Sequence, residues 1–251
     1  MASPLAIDIL PQPDETTCGP TCLHAVYRYF QDEMPLDQVI DGIQRLHHGG
    51  TLAVFLAAHA LERGYRATIY TYNLEMFDPT WFDADGSVPD IVDRLQRQVE
   101  AKNATEFAVA TEGYARFAAA GGRLRFEDLT TGLIRRHLKR GIPLLTGLSA
   151  TYLYHCAREH GPHCEYDDIR GYPSGHFVLL AGYDSETRSV LVIDPLHSNP
   201  MAPGHHYEIS IDRVIGAILL GVLTHDANLL VIEPARTRHS AHSHVDIHRR
   251  Q

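Results

Sequence analysis

The chain contains no apolar run long enough to cross a bilayer. The longest, Val214 to Leu223, falls well short of the roughly 18 to 20 residues a spanning helix needs. The opening, Met1 to Asp8, lacks a basic leader followed by a continuous apolar stretch, so no signal peptide is expected. Cations are scarce: 22 Lys and Arg face 31 Asp and Glu, a formal net charge of −9. That balance makes a nucleic acid or a membrane surface an unexpected partner, although the 17 histidines offset much of the acidity near pH 6. Cysteine is sparse too. Cys18, Cys22, Cys156 and Cys164 are too few for a disulfide scaffold in 251 residues, and free thiols in a cytoplasmic protein are expected. Gly-rich phosphate signatures are missing, so neither ATP nor NAD, nor any other cofactor, is expected. No repeat of solenoid period occurs.

What remains is a globular composition, 44% apolar and 21% charged, with ample chain to bury a core. The patterning predicts one domain over residues 1–236 and a flexible tail at 237–251 carrying His239, His242, His244 and His248. Helical spacing predicts helices at about 18–31, 36–46, 51–63, 90–102, 114–120 and 128–140, with a strand at 66–72 between the third and fourth. Thr16 or Thr17 is the expected cap of the first helix. From Pro143 onward the segments are short and strand-like: 143–148, 175–183, 189–193, 205–209 and 228–232, with one helix at 211–223. Strands 177–181 and 190–193 are predicted to pair as a hairpin across Asp184 to Thr187. A helical part of about 10–140 followed by an antiparallel sheet over 141–236 is an α+β arrangement. Ser149 to Ser174, rich in Tyr, His and Cys, is expected to be a loop that covers the substrate.

Several residues suit nucleophilic chemistry. Cys18 opens a helix, where unpaired amides and the positive dipole end favour thiolate, and such thiols ionise at about 3.5–7.5. Gly19 beside it removes bulk where a substrate carbonyl would sit. Gln12, six residues upstream, carries a side-chain amide able to hold an oxyanion together with the Cys18 N–H. His176 enters an apolar strand, and Asp194 lies just past the hairpin partner. Asp194 is expected to accept the Nδ1–H of His176 and leave Nε2 facing the thiol.

Gln12, Cys18-Gly19-Pro20, Gly175-His176-Phe177-Val178, Gly182-Tyr183-Asp184 and Asp194-Pro195, in that order, resemble the papain-like cysteine peptidases. The likeness is to the bacteriocin-processing, double-glycine-leader type and its stand-alone bacterial relatives. The resemblance implies a papain-like α+β fold, with the nucleophile on a helix and the base on an antiparallel sheet. It implies Cys18 as nucleophile, His176 as base, Asp194 as its orienting partner and Gln12 in the oxyanion hole. Gly19, Gly175 and Tyr172 are the expected substrate contacts, and a peptide or amide is the expected partner. The segments 65–140 and 149–174 match nothing shared with that family, and no transporter segment accompanies them, so leader cleavage during export is not carried over. Acyl transfer to an amine on the same site, or a catalytically silent peptide-binding module, are the alternatives.

Other features point less far. His155, Cys156, His160, His163 and Cys164 suggest a metal, but two thiols eight residues apart fit no common zinc motif, so no metal is expected. Glu165, Asp167, Asp168 and Arg170 are assigned to a solvated loop, and His47-His48 to an exposed turn. Cys22 is expected in the core one turn below Cys18, and Phe77, Trp81 and Phe82 in a buried aromatic contact.

Overall fold

Alternation along the strands decides the architecture. In the strand that begins at Gly175, Phe177, Leu179 and Ala181 enter one buried cluster, whereas Val178 and Leu180 enter another. A sheet that is apolar on both faces must be covered on both, and helices supply the cover. The computed structural model describes residues 4–47, 49–102, 105–161, 163–224 and 226–235; His48 and the histidines of the tail lie outside them.

In chain order the elements are α1 (Cys18–Tyr29), α2 (Leu36–Gly42), α3 (Ala53–Glu62), β1 (Tyr65–Thr71), α4 (Ile91–Lys102), α5 (Thr105–Ala119), β2 (Arg123–Arg125) and α6 (Thr131–Leu138). There follow β3 (Leu144–Ser149), α7 (Ala150–Tyr154), β4 (Glu159–His160), β5 (Glu165–Tyr166), β6 (Gly175–Asp184), β7 (Ser189–Ile193), β8 (His206–Ser210), α8 (Ile211–Leu220) and β9 (Asn228–Pro234). The main sheet runs β2-β1-β9-β3-β6-β7-β8, antiparallel except for the β1–β2 pair. Leu23 and Val26 of α1, Leu56 of α3 and Phe117 of α5 cover one face. Ile134 of α6 and Val214 and Ile218 of α8 cover the other.

The hairpin of β6 and β7 forms in the predicted place, with Leu179 opposite Ile193. Other expectations shift. β1 belongs to the first half of the chain yet lies beside β9, so the sheet crosses the division into helical and sheet parts. The helix placed at 114–120 is the end of the 15-residue α5. Gly113 interrupts its apolar pattern because a Cβ there would come within 2.6 Å of Phe55. The second helix stops at Gly42, short of Leu46. The loop 149–174 holds α7 and the small β4–β5 hairpin. Thr17 occupies the cap position of α1, but its hydroxyl donates to the Asp14 carbonyl (3.0 Å) and makes no cap bond to the helix. Phe77 is buried and meets Tyr114 edge-on at 4.9 Å.

Candidate active site

The helix α1 starts at Cys18 because the chain before it is folded into a tight turn. Asp14 accepts bonds from the Thr16 amide (2.8 Å) and hydroxyl (2.7 Å), and Pro20 falls in the first turn, where its missing N–H costs nothing. The helix packs on β6. One turn into it the fully buried Cys22 donates its S–H to the Phe177 carbonyl at 3.3 Å, pinning the helix next to His176. Burial pushes the Cys22 thiol well up, which keeps it a neutral donor. Cys18 itself is 8% exposed and is a free thiol.

His176, the second residue of β6, is buried, and its Nε2 bonds Asp194 Oδ1 at 2.8 Å. Sequence reasoning had Nδ1 in this bond. With Nε2 engaged by Asp194, Nδ1 is the ring nitrogen left for a proton exchange with the thiol. Burial alone would discharge the ring. The Asp194 carboxylate, and after it contact with Cys18, outweigh burial and hold His176 up to about 10. The ring is therefore an imidazolium at neutral pH.

Asp194 is fully buried and its carboxylate has no spare capacity. Oδ1 takes His176 and the Leu196 amide (3.0 Å), and Oδ2 takes the hydroxyls of Tyr154 (2.8 Å) and Tyr207 (2.9 Å). Burial works to neutralise the carboxyl, but the His176 cation and these donors hold it well below its ordinary range. Burial and the same carboxylate push both phenols up, so they stay protonated and donate. Tyr154 also tilts over the His176 ring, with centroids 6.1 Å apart. Neither tyrosine was singled out from sequence: one falls in the segment left as loop, the other in an edge strand.

The remaining predicted residues divide. Gln12 is tied to the site by its backbone, whose N–H donates to the Pro195 carbonyl at 2.9 Å. Its side-chain Nε2 donates to the Asp14 carbonyl (2.9 Å), and its Oε1 is buried without a partner. Gly19 does not keep space open for a ligand. A Cβ there would come within 2.9 Å of Thr51 and 3.1 Å of Phe177, so the glycine serves the contact between helix and sheet. Gly175 is exposed at the sheet's end against Thr224. Tyr172 is 75% exposed and holds the loop only through backbone bonds with Glu159 (2.8 and 3.0 Å). The loop walls a groove of 390 Å³ beside Ser149, with Tyr152, Pro173 and Leu223 on its sides. Asp167 pairs with Arg170 at 2.6 Å within the loop itself. Among the described residues, no group of three or more His, Cys, Asp or Glu side chains comes together in a metal-binding arrangement.

The sequence profile of the Peptidase_C39-like family matches residues 4–208, a span containing Gln12, Cys18, His176 and Asp194. The chain belongs to this family. Three solved structures are similar to the C39-like chain. One is a double glycine motif protease from an AMS/PCAT transporter in complex with the leader peptide: 13% identity, 93% of this chain and 95% of that one, TM-score 0.44. Another is the peptidase domain of Streptococcus ComA, a bi-functional ABC transporter involved in quorum sensing: 13% identity, 90% and 98%, TM-score 0.43. A third, from Bacillus anthracis, is described as a C39-like peptidase: 11% identity, 91% and 94%, TM-score 0.47. No curated protein matches the chain. Among the described residues, no helix of this C39-like protein is long and apolar enough to cross a membrane.

Proposed function

We propose that the protein is a cytoplasmic cysteine peptidase or amidase acting through Cys18, His176 and Asp194. The observation that carries this is the 2.8 Å bond between His176 and a four-fold-bonded Asp194, with the ring in contact with a thiol at a helix N-terminus. The geometry suits a thiolate–imidazolium pair: His176 keeps its proton, and Cys18 attacks an amide carbonyl as the anion. Charge developing on the carbonyl oxygen falls to the Cys18 backbone N–H, which at the first turn has no acceptor within the helix, and to the Gln12 amide. Gln12 has to release Asp14 or use its second N–H for this. His176 then passes its proton to the leaving amine, and a water molecule, deprotonated by the now neutral ring, releases the acyl group. We place an extended peptide along the groove beside Ser149, the strand neighbour of Gly175.

Incubation of a peptide library with the protein, read by mass spectrometry, tests this. Parent protein yields cleaved products, Cys18→Ala and His176→Ala yield none, and Asp194→Asn is slowed by roughly 10²–10⁴. Products from Cys18→Ala at the parent's rate overturn the assignment. An added amine acceptor that appears in the products shifts the conclusion to acyl transfer.

A further inference from the structure

The five-residue helix α7 holds a position that its own sequence does not explain. A helix this short is unstable alone, because so few hydrogen bonds do not offset the cost of nucleation. It is held from outside at its start, on its flank and at its end. At the start the Ser149 hydroxyl accepts from the Tyr152 amide (3.3 Å). There the helix is also tied to the chain just before His176. The Ala150 amide donates to the Ser174 carbonyl and the Ser174 amide to the Thr151 hydroxyl, both at 2.9 Å. On the flank, Tyr152 lies against Gly216 of α8, where a Cβ would come within 2.9 Å of the ring. At the end stands Arg213, also of α8. Its Nε donates to the Leu153 carbonyl (3.1 Å) and a second guanidinium N–H to the Tyr152 carbonyl (3.2 Å). Its guanidinium carbon sits 5.5 Å from the centre of the Tyr152 ring. Carbonyls in the last turn of a helix lack enough donors of their own, and a cationic side chain supplies them. Arg213 forms no ion pair among the described residues, so its charge faces these carbonyls and one ring.

The next residue is Tyr154, whose hydroxyl bonds Asp194 and whose ring tilts over His176. Both contacts depend on where the end of α7 lies, since a shift of that backbone moves hydroxyl and ring together. His155 turns the chain away at φ 56°, so no further helix steadies the tyrosine from beyond. We propose that Arg213 is a positioning residue for the Cys18–His176 pair: by clasping the end of α7 it sets Tyr154, which holds the imidazole in line between Asp194 and the thiol. The proposal deepens the peptidase reading and rests on it. Arg213 bonds only the α7 carbonyls among the described residues, so its effect on the pair passes through Tyr154. A displacement of about 1 Å within such a constellation is enough to cost about 10²-fold in rate.

The test compares Arg213→Met, which keeps the aliphatic stem on Tyr152 and removes every donor, with Tyr154→Ala and the double variant. Iodoacetamide labelling near pH 6 gives the ratio of the Cys18 rate to that of the exposed Cys164 in each protein. Arg213→Met is expected to lower the ratio about tenfold or more, and Tyr154→Ala at least as much. On a library peptide that the parent cleaves, kcat should fall by a similar factor with KM within about twofold. Arg213→Lys should restore part of both, and Arg213→Gln supplies the same reading if Arg213→Met does not fold. The double variant should be no slower than Tyr154→Ala, because the two residues act in series. A lower Tm with unchanged ratio and kcat makes Arg213 a structural clamp only and overturns the proposal. Losses that multiply in the double variant overturn it too. A ratio that responds as expected, in a protein whose parent form cleaves no library peptide, leaves Arg213 in its role at the thiol and removes the peptidase.

Discussion

At the scale of single residues, the carboxylate of Asp194 sets the chemistry of the site. Its four donors keep it charged in a place where burial favours the neutral acid, and its charge in turn keeps His176 protonated. An NMR titration of the His176 ring should therefore give a midpoint near 10, and Asp194→Asn should lower it, because burial is then opposed only by the contact with Cys18. A parent midpoint near 6.5 contradicts the ion pair. Tyr207→Phe removes one donor from Oδ2 and should cost about 1–3 kcal/mol of stability, measured by chemical denaturation, and Tyr154→Phe should behave alike. The sequence made Cys18, His176 and Asp194 legible because each sits next to a chain signal: a Gly-Pro helix start, a glycine before a strand, a proline after one. The tyrosines carry no such signal. Their role arises only when α7 and β8, more than fifty residues apart, meet over the same oxygen. The choice of ring nitrogen was equally hidden, since it depends on how the ring on β6 and the carboxylate after β7 meet in space.

At the scale of elements, the contact of α1 with β6 positions the thiol against the ring. Gly19 lets the helix come close, and Cys22 fixes it by its bond to Phe177. Gly19→Ala should push against Thr51 and Phe177 and lower stability by about 1–3 kcal/mol, seen as a drop in Tm, with Cys18 displaced from His176. Unchanged stability would mean that the helix shifts freely and that its position is not set by packing. Long apolar periodicity made α1, α3, β6 and β7 readable to within a few residues. α5 was truncated because Gly113 and Thr111 stand where a core stripe is expected, and their reasons for being there are tertiary. β2 has three residues and exists only because β1 offers it an edge, so no local pattern marks it. The β4–β5 hairpin is shorter still, with two residues in each strand.

For the whole molecule, three buried titrating groups predict how stability depends on pH. His176 has its folded value above its unfolded one, so its contribution is complete below about pH 6.5 and is lost as pH rises toward about 10. His137 is the reverse: burial, then Arg136 and Arg140, lower it to about 4, so its contribution holds above about pH 6.5 and is lost as pH falls through 4. Asp226 is raised to about 7 by burial against the bonds it receives from Ala53 and Asn228. Its protonated form is the one the fold favours, so stability declines as pH rises from about 4 to about 7 on its account. Thermal unfolding across pH should show Asp226→Asn losing that decline while keeping the alkaline loss due to His176. A variant that retains the whole of the decline contradicts the assignment to Asp226.

If Cys18 is the proposed nucleophile, its place at the start of α1 beside the His176 cation makes it the most reactive of the four thiols although it is buried. Limited iodoacetamide labelling near pH 6, mapped by peptide mass spectrometry, tests it most directly. Cys18, at 8% exposure, should be alkylated before the half-buried Cys156 and the exposed Cys164, and His176→Ala should abolish this order. Labelling that simply follows exposure, with Cys164 first in both proteins, would contradict it.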